Sequence, residues 1–189
     1  MAERSARAAA TVEDLYGVDS KAELIDGAIV PMGSTGDVPS YAASEIFESL
    51  REHGRRTGAG RAVNDNVGFV VDLPGRRTFS PDAAYRTGPP AGTRFFEGAP
   101  VFAVEVRSEG DYGPAAERAI TAKRRDDFAA GTRAVRDVDL LDPASTVRLY
   151  RAERPDDPVR FGRGDVADAG DAVPDWSMAV DELFVPGVG

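Results

Sequence analysis

A single acid inside an apolar run constrains this chain most. Val101-Phe102-Ala103-Val104-Glu105-Val106 reads as a strand covered on both faces, because a strand with one wet face would alternate polar and apolar residues. A carboxylate in such a strand needs a partner, a metal ion being the functional choice. Ser80-Pro81-Asp82 opens another expected strand, so a second carboxylate falls at the end of a neighbour.

The 189 residues suit one domain, with a flexible tail at 1–11, the folded unit at 12–184 and a short tail at 185–189. No cysteine is present, which excludes a disulfide framework, a cysteine zinc site and a thiol nucleophile, and fits a reducing cytoplasm. His53 is the one histidine, so mechanisms needing a His pair are excluded; beside Gly54 it is expected to meet the last carbonyls of a helix. A formal net charge of −9 excludes a broad electrostatic coat for nucleic acid, leaving only local contact. No segment reads as a signal peptide or a membrane span, and the expectation is a soluble, cytoplasmic protein.

Thr11 followed by Asp14 resembles a helix start, and the short helix it opens ends near Gly17. Residues 22–30 carry two β-prone runs around Asp26-Gly27, a hairpin signal with Glu23 in its first strand. Tyr41, Ala42, Ile46, Phe47 and Leu50 recur at helical spacing as far as Gly54. Arg55, Arg56 and Arg61 follow as a basic cluster, read first as a solvated turn and second as a phosphate contact. Residues 63–71 read as one strand that turns at Leu73-Pro74-Gly75-Arg76 and returns toward Phe79, and 88–98 as a surface loop. Pro114 begins a helix that Gly131 stops, with Lys123 on the face of Ala119 and Ile120. Two strands follow at 135–141 and 146–150. Between 151 and 171 only Val159-Arg160-Phe161 looks ordered, after which Trp176, Met178, Val180, Leu183 and Phe184 return the chain to the core.

Two carboxylates and a nearby ammonium are what divalent-metal hydrolysis of a phosphodiester requires: the acids hold Mg²⁺ or Mn²⁺ through oxygen, and the lysine steadies developing charge. Asp82, Glu105 and Lys123 are the candidates. The plainer alternatives are structural ion pairs between these acids and arginines, and a Lys123 that only snorkels along its helix.

The segments Glu23-Leu24-Ile25-Asp26-Gly27, Ser80-Pro81-Asp82-Ala83-Ala84, Val104-Glu105-Val106-Arg107-Ser108, Ala122-Lys123, Phe128-Ala129-Ala130-Gly131, Asp137-Val138-Asp139 and Val180-Asp181-Glu182-Leu183-Phe184, in that order, resemble the Uma-type restriction-endonuclease-like family of the PD-(D/E)xK nuclease superfamily. The resemblance implies an α/β (α+β) fold: a restriction-endonuclease-like core with a central mixed β-sheet flanked by helices and an N-terminal β-hairpin. It implies a Mg²⁺- or Mn²⁺-dependent endonuclease acting on DNA, with Asp82, Glu105 and the Val106 carbonyl as metal ligands, Lys123 catalytic and Glu23 supporting the site; a homodimer is compatible with it. Arg107 stands where the simplest superfamily motif has lysine, and an always-protonated guanidinium cannot carry a proton in its place. Asp37-Val38-Pro39-Ser40 stands where many relatives carry a histidine, and Arg136 where an aromatic is usual. The rival functions are a catalytically silent binding or regulatory module on the same fold, favoured by the acidic composition, and a hydrolase of small phosphate esters.

Overall fold

The structure is a computed structural model and describes residues 9–187. The first eight residues of the expected N-terminal tail and the last two of the C-terminal one lie outside the described residues. In chain order the elements are α1 (Val12–Leu15), β1 (Ala22–Ile25), β2 (Ala28–Pro31), α2 (Asp37–Thr57), β3 (Arg61–Asn64), β4 (Phe69–Val70), β5 (Thr78–Phe79), β6 (Ala83–Arg86), β7 (Phe96–Glu97), β8 (Phe102–Val106), α3 (Pro114–Ala129), β9 (Ala134–Val138), β10 (Val147–Arg151), β11 (Arg154–Phe161), β12 (Val166–Asp168) and β13 (Ser177–Ala179).

A six-stranded sheet in the order β11-β10-β9-β8-β6-β3 forms the frame. Only β8 and β9 run parallel, which is why a helix, α3, must cross between them; every other neighbouring pair is antiparallel. Successive residues of β8 point to opposite faces. On one face Phe102, Val104 and Val106 join Ala42, Ile46 and Leu50 of α2 in the main core, closed by Trp176, Met178, Val180 and Leu183 from the C-terminal segment. Ala42, Ile46 and Leu50 lie four apart and are fully buried, each larger one worth about 1.5–3 kcal/mol of transfer free energy. On the other face Glu105 turns toward α3, and a second core of Val63, Phe69, Phe79, Ala84 and Phe96 lies under the small β5-β4-β7 sheet.

The hairpin β1–β2 forms as its turn residues dictate: Asp26 (φ 48°) and Gly27 (φ 70°) both take the left-handed region that a type I′ turn demands, and Ile25 pairs with Ala28. Helix α2 starts earlier and ends later than its apolar spacing predicts, running from the residue after Gly36 to a left-handed Gly58. Gly54 is therefore no stop signal. A Cβ there would meet the Gly60 carbonyl oxygen at 2.8 Å and the Tyr85 ring at 3.3 Å, so its smallness serves the close approach of α2 to the sheet. His53 is buried edge-on to Tyr85, with ring centroids 6.1 Å apart, and its Nδ1 accepts from Arg56 at 3.2 Å rather than reaching helix carbonyls. Within the basic cluster, Arg61 stacks on Phe96.

Two further expectations need correction. Residues 63–71 are not one strand: Asn66, at φ 63°, breaks the run between β3 and β4. The 151–171 stretch is far more ordered than its Pro and Asp content suggests, because β11 is an edge strand, paired only to β10, where Pro155 and Pro158 cost no ladder bond on the open side. Phe96 in the expected surface loop likewise pairs with Phe69, as part of β7.

Arg136 packs among aromatic rings in the main core. Fully buried opposite Val104, its guanidinium lies 4.5 Å from the Trp176 ring centroid and donates to the Asp168 carbonyl at 2.9 Å, while Nε and Nη1 have no partner among the described residues. Burial pushes its pKa down to about 9. Removing an underpaired buried charge outweighs the lost stacking, so Arg136→Met is expected to raise stability by up to about 4 kcal/mol in urea denaturation. A loss of stability would show that the stack and the carbonyl bond dominate.

Candidate functional site

One cavity of about 380 Å³ opens between the hairpin, α3 and the site face of the sheet, and Glu23, Asp82, Glu105, Val106 and Lys123 all line it. Their arrival there follows from local structure. Glu23 sits mid-strand on β1, Asp82 directly precedes β6, Glu105 occupies the outward parity of β8, and Lys123 lies on α3, the helix that connects β8 to β9. Val106 donates its backbone N–H to Asp82 Oδ2 at 2.8 Å, which locks the first acid to the strand carrying the second.

Lys123 is the hub. Its Nζ lies 2.9 Å from Glu105 Oε1 and 3.1 Å from Glu23 Oε1, with 15 % of the side chain exposed. Burial alone would lower its pKa, but Glu105 and Glu23 more than offset this and hold it above the ordinary lysine value. The ammonium therefore stays charged at neutral pH. Glu23 is 1 % exposed; burial would raise its carboxyl, yet Lys123, Arg76 and the Ser80 N–H (3.0 Å) together hold it below the usual range. Arg76 Nη1 pairs with Glu23 Oε2, and its Nε donates to Asp126 Oδ2 at 2.9 Å.

Glu105 behaves differently. Burial, with Asp82 and Glu23 as negative neighbours, outweighs Lys123 and raises its pKa to about 7, even though the Lys123 ammonium lies 2.9 Å from Oε1. Asp127, one helical turn beyond Lys123, is buried with Oδ2 unpartnered among the described residues, and its pKa is also raised by burial. Both shifts have the same sign in folding: the native chain keeps protons that the unfolded chain releases near ordinary carboxyl values. Stability from Glu105 is thus greatest below about pH 4.5 and declines as pH rises toward about 7. In chelator-treated protein, Glu105→Gln is expected to match the parent at about pH 4 and exceed it by roughly 3 kcal/mol at about pH 8, by urea denaturation at the two pH values. A difference that does not change with pH would contradict this.

Arg107, at the position of the usual motif lysine, is turned into a separate network. It makes a two-pronged pair with Asp137, at 2.8 and 2.7 Å, and a second pair with Glu117, so it is a buried strut beside the cavity. Among the cavity residues that spacing alone misses are Lys21, Arg76 and Asp127. Lys21 Nζ lies 2.9 Å from Asp82 Oδ1 and 2.6 Å from Asp65 Oδ1.

Among the described residues no three His, Cys, Asp or Glu side chains form a metal cage. The donor set still fits a hard dication such as Mg²⁺, which commonly takes one or two carboxylates and keeps several waters: Asp82 and Glu105 face one cavity, and their side chains stay 24 % and 25 % exposed toward it.

The sequence profile of the Uma2 family, described as "Putative restriction endonuclease", matches residues 9–181. A solved structure described as "a putative nuclease belonging to DUF820 from Anabaena variabilis" is similar with a TM-score of 0.71, at 16 % identity over 92 % of this chain and 97 % of that one. At that identity the likeness shows the fold: a mixed sheet flanked by helices, as the sequence resemblance implies. No curated protein matches. Among the described residues no helix is long and apolar enough to cross a membrane.

Proposed function

The chain belongs to the Uma2 restriction-endonuclease family, and from that premise we propose that it is a divalent-metal-dependent endonuclease hydrolysing DNA phosphodiester bonds. The observation that carries this reading is Lys123 Nζ seated between Glu105 and Glu23, 2.9 and 3.1 Å away, in the cavity that Asp82 also lines. Asp82, Glu105 and the Val106 carbonyl would hold Mg²⁺ or Mn²⁺, which supplies Lewis acidity at the phosphate and a more acidic attacking water. Lys123 keeps its proton and presents positive charge to the phosphoryl oxygens as negative charge accumulates, rather than serving as a base. Glu23, fixed by Arg76 and the Ser80 amide, holds that ammonium in place. Apolar side chains from Ile25, Val30, Met32 and Ile120 wall the cavity and limit water.

The acidity of the chain favours a second reading, a silent binding module of the same fold. Incubation of plasmid and single-stranded DNA with Mn²⁺ or Mg²⁺, beside nucleotides and small phosphate esters, separates the readings. Cleavage of DNA that stops with chelator and with folded Lys123→Ala supports the nuclease; no turnover of any DNA in either metal supports the module.

A further inference from the structure

Lys21 stands directly ahead of β1, two residues before Glu23, so both side chains leave the same face of the hairpin. Its ammonium touches two carboxylates that differ in kind. Asp82, 24 % exposed, belongs to the cavity floor; Asp65, 53 % exposed, lies just beyond the end of β3. We propose, on the cation reading of the cavity given above, that Lys21 is a displaceable counter-cation: it neutralises Asp82 in the metal-free protein and is driven onto Asp65 when a divalent cation enters.

The hydrogen-bond inventory of Asp82 leads to this. Oδ2 is committed to the Val106 N–H at 2.8 Å, so Oδ1 is the oxygen left for a cation, and Oδ1 is where Lys21 sits at 2.9 Å. A dication and an ammonium on one carboxylate oxygen repel strongly in a partly desolvated site, and the ion with the larger charge dominates. The two lysines of the cavity differ in their freedom to yield. Lys123 is clamped between Glu105 and a Glu23 that is itself pinned by Arg76 and an amide. Lys21 has an alternative seat already in contact, 2.6 Å away, and that seat is held ready by the Asn66 N–H, which donates to Asp65 Oδ1 at 2.8 Å. The alternative seat also has a use. Asp65 and Asp82 both line a second groove adjoining the cavity, with Asn64 and Thr35, so the displaced ammonium stays at the mouth through which a phosphate would approach. Lys21 thus sets the threshold for cation binding and then contributes a mobile positive charge to the substrate side.

Calorimetric titration of the metal-stripped full chain with Mn²⁺ tests this on the parent, Lys21→Met, Lys21→Gln and Asp65→Asn, with circular dichroism to establish that each is folded. Lys21→Met and Lys21→Gln are expected to bind Mn²⁺ about tenfold more tightly than the parent, and Asp65→Asn several-fold more weakly, because the ammonium has lost its second seat. A lysine required only for structure gives the opposite sign, with Mn²⁺ affinity falling in both Lys21 variants. Equal Mn²⁺ affinity in parent and Lys21 variants overturns the displacement while leaving the nuclease reading standing. Absence of Mn²⁺ binding in every protein overturns both.

Discussion

Arg76→Met is expected to destabilise the chain by about 3–5 kcal/mol, the cost of stranding a buried charge by removing one partner. Glu23 is 1 % exposed and Arg76 8 %, so neither can turn to water when the other is lost. The methionine keeps much of the hydrocarbon stem that packs near Phe79, whose ring centroid lies 5.0 Å from the guanidinium carbon, so the loss reports the charge more than the volume. Glu23 would then retain Lys123 and the Ser80 amide alone, and its carboxyl would rise from its present position below the usual range. The double variant Glu23→Gln with Arg76→Met removes both charges and is expected to recover much of the deficit. Urea denaturation of the two singles and the double reads the coupling directly; additive losses would show that the pair is not an energetic unit.

Asp82→Asn is expected to abolish detectable cleavage with little loss of fold. The amide oxygen can still accept the Val106 N–H, so the junction of β6 and β8 survives, but the neutral group no longer attracts a dication. Changes to partners outside the coordination shell typically cost 10–100-fold, and loss of a ligand charge should exceed about a hundredfold in metal affinity and rate alike. Cleavage assays over a Mn²⁺ series and thermal melts of the same preparations check both halves. Retained activity in the folded variant would remove Asp82 from the metal set.

Glu105 and Lys123 were legible before any coordinates because each breaks a local rule. An acid in a strand with no wet face, and a lysine at helical spacing with Ala119 and Ile120, announce groups that turn inward. Two of the residues missed carried comparable signals. Lys21, the residue before β1, shares parity with Glu23, and Asp127 lies one helical turn from Lys123, so period-2 and period-4 reasoning from the known candidates reaches both. Arg76 carried none: it sits in a turn 53 positions from the acid it pairs with, and only the return of β5 beside β1 brings it inward. The same limit applies to β11, whose prolines read as disorder until its place at the sheet edge is known, and to Gly54, where a packing requirement imitates a helix stop.

The acids of the cavity divide into two kinds. Glu23 is held below the usual carboxyl range by Lys123, Arg76 and an amide; Glu105, with the Lys123 ammonium as its one close cation, is raised to about 7. The proposed cation between Asp82 and Glu105 would supply the positive charge that Glu105 lacks, and it can be tested without any substrate. In a crystal soaked in Mn²⁺, the anomalous difference map is predicted to place a peak in the cavity in contact with the carboxylates of Asp82 and Glu105. A map without that peak, at a Mn²⁺ concentration well above that of the cleavage assays, would contradict the account.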